Sequence, residues 1–414
     1  MRASLIRVAA SVVAAGCLVA PATEATNAAF QSFFFDVCVN PSATLAARCA
    51  ETNAGLGDLS GDSESSLNPS QGLSHNDAAL AVAQTRSRES RERGERMRED
   101  DASSSDGAVS VGPFSLMLHG RGVWFEQERV VDVEAERGYD GEQFAAEIGL
   151  DYRLSDDAVI GAIVGFEQVD VDFDTENPGN NFTPAAEAGD NEVDTISITL
   201  FGAVNLTENI YIDGTLGYGT SDYEFRRNVV FQESNRVVPQ TDVRTEGDAD
   251  GDSIWAGVNL GYQTQNDAWS WGSYVGLTYA SSDIDGYTES DRSSSGLNMT
   301  VGDLDRDSVL AHLGVVAAYT ISTANGVWVP SIRVEYDHEF DRDAQDLNTV
   351  FVLDANQTSF ASRGDEPDED YFNIALGIVG VLPNGWAPFL EADIVVGYDD
   401  FDRSRVQLGV RKEF

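Results

Sequence analysis

Between Pro113 and Phe414, apolar and polar residues alternate with a period of two. In one stretch Phe144, Ala146, Ile148, Leu150 and Tyr152 share a parity, and Gln143, Glu147, Asp151 and Arg153 share the other. Ile196, Ile198 and Leu200 alternate in the same way with Thr195, Ser197 and Thr199, as do Ile332, Val334 and Tyr336 with Arg333, Glu335 and Asp337. Successive side chains of a strand point to opposite faces, so each stretch has one apolar face and one polar face. The pattern predicts strands at about 113–126, 139–154, 158–172, 193–206, 210–226, 251–265, 268–282, 305–321, 326–340, 370–382, 386–399 and 402–414.

The connections alternate in length. Ser155-Asp156-Asp157, Thr207-Glu208-Asn209, Asn266-Asp267, Thr323-Ala324-Asn325 and Pro383-Asn384-Gly385 are short, whereas 173–192, 227–250, 283–304 and 341–369 are long. Aromatic residues gather at both ends of the apolar faces. Tyr152, Tyr262, Trp271, Tyr319, Trp328, Trp386 and Phe414 lie near short turns, and Trp124, Phe166, Tyr218, Tyr279, Tyr336 and Tyr398 lie toward the long loops. An even set of strands, apolar outside and polar inside, between two aromatic girdles describes an all-β, twelve-stranded antiparallel transmembrane β-barrel. A soluble sandwich also alternates, but it explains neither the girdles nor the rhythm of the loops.

Upstream the period changes. Residues 1–25 read as a secretory signal peptide: Arg2 and Arg7, a Val/Ala-rich core through Val19, then small residues. Beyond it there is no run of eighteen apolar residues, so no transmembrane helix is expected. Residues 26–74 read as a short passenger-like segment and linker. Cys38 and Cys49 close a short loop there, and export predicts a disulfide between them. A two-cysteine metal site is the other reading, although no histidine lies nearer than His75.

Ser74-His75-Asn76-Asp77 resembles a helix-capping box and opens an expected α-helix over 75–101. The helix carries Arg86, Arg88, Arg91, Arg93, Arg96 and Arg98 on all its faces, and Gly94 costs it about 1 kcal/mol. Such a segment is poorly suited to fold alone in water.

Charge supplies it with a place. The chain has 26 basic residues, of which Lys412 is the one lysine, against 70 acidic residues, for a net charge of -44. That balance opposes nucleic acid and anionic headgroups as electrostatic partners. Inward parity puts Glu147, Asp151, Asp213, Glu335, Glu391 and Asp393 in the lumen, where helix arginines gain charge-assisted contacts. The helix is therefore expected to thread and plug the barrel. The competing reading is a small cation-preferring porin with this segment outside the lumen.

Candidate chemistry is sparse. His119 and His312 face inward and read as satisfied lumen groups, while His338 lies at the outer rim in Asp337-His338-Glu339, near Asp341 and Asp343. A rim Asp/His pair that activates water would make a barrel hydrolase, the second alternative. The expectation is no catalytic residue, no enzymatic role and no cofactor. Asp248-Ala249-Asp250-Gly251-Asp252 has the alternate carboxylates of a weak calcium candidate but lacks the downstream bidentate glutamate. No other metal site is expected.

The end of the chain carries a family resemblance. In 405–414, Val406, Leu408, Val410 and Phe414 share one parity, and Arg405, Gln407, Gly409, Arg411 and Glu413 the other. Gln407, Gly409, Val410 and Phe414 resemble the terminal signal read by the outer-membrane assembly machinery; Lys412 departs from it, since an aromatic residue is usual there. With the helix, Gly112-Pro113-Phe114 opening the first strand and twelve strands following, residues 75–414 look like an autotransporter β-domain. The resemblance implies a monomeric barrel in the outer membrane of a Gram-negative bacterium, in contact with the lipid bilayer and lipopolysaccharide. It also implies that the helix links the barrel to a secreted passenger. The residues between signal and helix hold none of the repeats a β-helical passenger needs. The expectation is a stand-alone barrel (113–414) displaying or exporting a short N-terminal segment.

Overall fold

The computed structural model describes residues 26–51, 69, 85, 88, 113–131, 134–175, 187–231, 241–341, 343, 345–364, 366–399 and 401–414. Two helices come first, α1 (Thr26–Val37) and α2 (Ala43–Glu51). The strands that follow are β1 (Phe114–Val131), β2 (Glu134–Ser155), β3 (Ala158–Phe173), β4 (Gly189–Asn205), β5 (Ile210–Phe231), β6 (Thr241–Asn266), β7 (Trp269–Ile284), β8 (Tyr287–Thr288) and β9 (Ser290–Asp291). Next are β10 (Met299–Val301), β11 (Leu304–Tyr319), β12 (Ile321–Thr323), β13 (Gly326–Glu339), β14 (Asp346–Phe351), β15 (Ser359–Arg363), β16 (Asp370–Val381), β17 (Trp386–Val396) and β18 (Phe401–Glu413).

Twelve of these, β1–β7, β11, β13 and β16–β18, make one antiparallel ladder, and β1 pairs back onto β18 with Leu118 opposite Val410. Closure leaves no unpaired edge, as a lipid environment demands. The outward positions bear large apolar side chains, among them Ile148, Val164, Ile198, Leu260, Leu313 and Leu408, each about half exposed or more. A water-facing surface does not carry a band of that size. Among the described residues, no helix is long and apolar enough to cross a membrane.

Local chemistry closes the hairpins. In the turn between β16 and β17, Asn384 and Gly385 have φ of 64° and 71°, the mirror-image turn whose twist matches its flanking strands. On the inner wall, register places Gly217 opposite Trp255, whose indole fills the space a Cβ would take. Tyr211 covers Gly261 and Tyr274 covers Gly314 in the same way. Large rings laid over glycines fill the wall without forcing the strands apart.

Outside the bilayer the structure departs from the expectation of plain loops. β5 and β6 stay paired as far as Phe231↔Thr241, so most of 227–250 is strand. The 26 residues of β6 span roughly 86 Å at about 3.3 Å per residue, far more than an apolar band of about 25 Å requires. β8, β10, β14 and β15 form a second sheet, in the order β15-β14-β10-β8, from the excursions read as loops 283–304 and 341–369. Period two persists there, with Leu347, Thr349 and Phe351 buried and Asp346 and Asn348 exposed, but the apolar side chains meet buried clusters rather than lipid. Tyr398, assigned to the outer girdle, instead packs on inward-facing Tyr371 at 5.2 Å.

The N-terminal segment departs further. Phe30, Phe33, Phe34 and Val37 recur at i, i+3, i+4 and i+7, the stripe of an amphipathic helix, and they form the buried side of α1. A reading tuned to linkers and period two passes over this stripe.

Candidate functional site

Two places on the barrel bring unusual chemistry together: the capped outer mouth and the charged lumen.

At the mouth, α1 and α2 cover the second sheet. Phe30, Phe33, Phe34, Val37, Leu45, Cys38 and Cys49 share one buried cluster with Val229, Leu297, Met299, Phe351 and Phe360. Phe33 stacks on Phe351 (centroids 5.8 Å apart, 6° between planes) and on Phe360 (5.0 Å). Cys38 and Cys49 are joined by a disulfide, with Cα atoms 5.4 Å apart, which fixes the end of α1 to α2. Between them Pro41 pairs with Asp354, and the Ser42 amide and hydroxyl donate to the Leu353 carbonyl at 3.2 and 2.5 Å.

The seat itself is held by carboxylates. Burial alone would raise the Asp354 carboxyl, but the Thr358 hydroxyl and the Thr358 and Asn356 amides donate to it. Together they hold it below the usual carboxylate range. Asp291 is lowered against its own burial by the hydroxyls and amides of Ser293 and Ser295. Arg227 grips Glu289 through two nitrogens at 2.9 and 2.7 Å, and Glu289 also accepts from the Met299 amide at 2.8 Å. Such a forked pair ties the top of β5 to the second sheet.

Strand parity builds the lumen. Glu147, Asp151, Asp213, Glu335, Glu391 and Asp393 all lie buried on the inner wall. Arg88, from the N-terminal segment, reaches Glu335 (3.0 Å), Asp337 (3.3 Å) and Asn373 (3.3 Å). Glu335 also accepts from the Tyr274 hydroxyl at 2.5 Å. The other carboxylates are matched largely by wall arginines, such as Arg333 and Arg405, which parity places on the polar face without indicating their partners. Arg405 pairs with Asp393 and with Glu391 (3.3 Å), Arg403 with Asp393 (3.3 Å) and Arg333 with Glu391 (3.6 Å). Arg121 pairs with Glu167 and lies 3.9 Å from Glu147, which also faces His119 Nδ1 at 3.3 Å. Their inward parity was the available signal. His312 lies against Asn259, which donates to Asp213 at 2.6 Å.

Thr85 and Arg88 are helical, while the rest of the expected helix, with Arg86, Arg91, Arg93, Arg96 and Arg98, lies outside the described residues, as do residues 1–25. Gln407 faces inward and donates to Glu391 at 2.8 Å, and Gly409 lies under the Phe389 ring. Val410 faces outward opposite Leu118, and the Phe414 amide donates to the Phe114 carbonyl at 3.0 Å. Lys412 keeps its aromatic surroundings. Its Nζ lies 5.6 Å from the Trp386 ring and 5.0 Å from the Phe414 ring, a cation–π arrangement within the girdle. Asp248, Asp250 and Asp252 stand on extended β6 opposite Glu224, Asp222 and Thr220, so their carboxylates form a line rather than a cup. His338 pairs with Asp370 at 2.8 Å rather than with Asp341 or Asp343.

Comparison with known proteins agrees with this architecture. Residues 121–393 match the family model of the autotransporter beta-domain. The chain is 23% identical over 285 residues to outer membrane protein B of Rickettsia prowazekii (strain Madrid E), a match covering 67% of this chain and 16% of that protein. The chain thus spans about a sixth of the length of the curated relative it matches. The translocator domain of autotransporter NalP from Neisseria meningitidis shares the fold, with a TM-score of 0.54 at 14% identity over 78% of this chain and 95% of that domain. The closed barrel, its lipid-facing band and the family match place the protein in the Gram-negative outer membrane. The chain belongs to the autotransporter β-domain family, as a translocator-type outer-membrane barrel.

Proposed function

We propose that this barrel carries residues 26–51 outward through its lumen and keeps them as a cap on its outer mouth. One observation supports this reading above the others: three parts of the N-terminal segment stand in chain order along the barrel. The α1–α2 pair packs at the long-loop end, Arg88 is ion-paired inside, and the Pro113 carbonyl accepts from Arg153 beside a short turn. A segment with its ends on opposite sides of a membrane and its middle in the lumen has crossed that membrane. Retention follows from the buried ring cluster, since each fully buried phenylalanine contributes about 1.5–3 kcal/mol.

The rest of the proposal is an assembly signal at Gln407, Gly409, Val410 and Phe414, a monomeric barrel in contact with lipopolysaccharide, and no catalytic role. Antibody raised against residues 26–51 should bind intact cells. Binding only after the outer membrane is permeabilised would overturn the proposal.

A further inference from the structure

Outside the lumen and the cap, one side-chain cluster has the chemistry of a metal site. His338 ends β13 and Asp370 begins β16, and the register sets them directly opposite one another. Nδ1 of His338 lies 2.8 Å from Asp370 Oδ1 and 3.9 Å from Glu369 Oε1. One ligand atom from each of the three residues lies within 4.8 Å of the others. Bonds of about 2.0–2.2 Å to imidazole nitrogen and carboxylate oxygen put tetrahedral ligands about 3.4 Å apart. The two observed distances bracket that value, so small side-chain shifts complete the geometry.

The surroundings orient these ligands. The Tyr336 hydroxyl donates to Asp370, the His338 ring meets Phe340 edge-on at 4.6 Å, and the Glu339 amide holds the Glu369 carbonyl at 2.8 Å. Partners of this kind fix first ligands in established metal sites. A plain ion pair would need one carboxylate. Two carboxylates gathered on one imidazole nitrogen concentrate negative charge, which a divalent cation offsets.

We propose that His338, Glu369 and Asp370 bind a divalent transition ion of the zinc type, with a fourth position open to water. The ion would join the two ends of the 340–369 excursion, whose outer part carries Phe351 and Phe360, the seat of the cap. Titration of the folded full-length barrel with Zn2+ against a chromophoric chelator tests this, with heat-modifiable migration confirming the fold of each variant. One equivalent should bind, His338→Ala and Glu369→Gln/Asp370→Asn should abolish binding, and Tyr336→Phe should weaken it about tenfold. Zn2+ should also raise the temperature of barrel unfolding in the wild type but not in His338→Ala. Absence of saturable binding, or binding unchanged in both ligand variants, would overturn the proposal.

Discussion

Arg88 Nε stands 3.0 Å from Glu335 Oε1, an ion pair between the N-terminal segment and the inner wall of the barrel. Glu335 and Asp337 are both almost wholly buried, and the same guanidinium serves both. Removing Arg88 takes from both carboxylates a guanidinium that they share.

Arg88→Glu should therefore repel the segment from the wall while the barrel stays closed. Losing one member of a buried pair costs about 3–5 kcal/mol, less where lumen water screens it. Single-channel conductance in planar bilayers should rise, as it should on deletion of residues 75–100. Equal conductance in all three proteins would mean that the segment does not plug the pore.

Phe33 touches both Phe351 and Phe360, so Phe33→Ala should free the cap without opening the barrel. A buried Phe→Ala change costs about 3–5 kcal/mol. Limited proteolysis should remove residues 26–51 quickly from the variant, with heat-modifiable migration unchanged.

The disulfide between Cys38 and Cys49 closes a loop of sequence separation 11, and cross-links of this size contribute about 3 kcal/mol. Thiol reagents should label neither cysteine until a reductant is added. Cys38→Ser/Cys49→Ser should make the cap protease-sensitive, and a cap as resistant as the wild type would show that ring packing alone suffices.

Asp354 and Asp291 titrate below their ordinary range, which sets the sign of a pH effect. A depressed folded pKa contributes stability that is fully present above the unfolded value of about 3.9 and is lost as pH falls through the folded value. Cap resistance to an acid-tolerant protease should hold from about pH 7 to 5 and fall below about 4. A loss between pH 7 and 5 would point to other groups.

Gly217→Val should block assembly, because the Trp255 indole occupies the place of any side chain at 217. Gly214→Ala, where the nearest atom to a new Cβ is the Gly257 carbonyl oxygen at 3.4 Å, should assemble normally. Heat-modifiable fractions of the two variants provide the comparison.

Sequence alone determined the barrel, its inward carboxylates and, Tyr398 apart, the two girdles, because lipid and lumen impose one choice on every residue of a strand. That choice leaves period two in the local sequence, from Phe144 through Tyr152 to the last strand. Tertiary structure decided the rest. Phe33 finds Phe360 across more than three hundred residues, and Asp393 takes Arg405 and Arg403 of the neighbouring strand as ion-pair partners. β5 and β6 continue beyond the lipid, where Tyr223, Phe225 and Val229 keep the period but are buried against the second sheet and the cap. Within the bilayer the solvent selects each face; above it, partners distant in the chain do so, and a local pattern does not identify which partners those are.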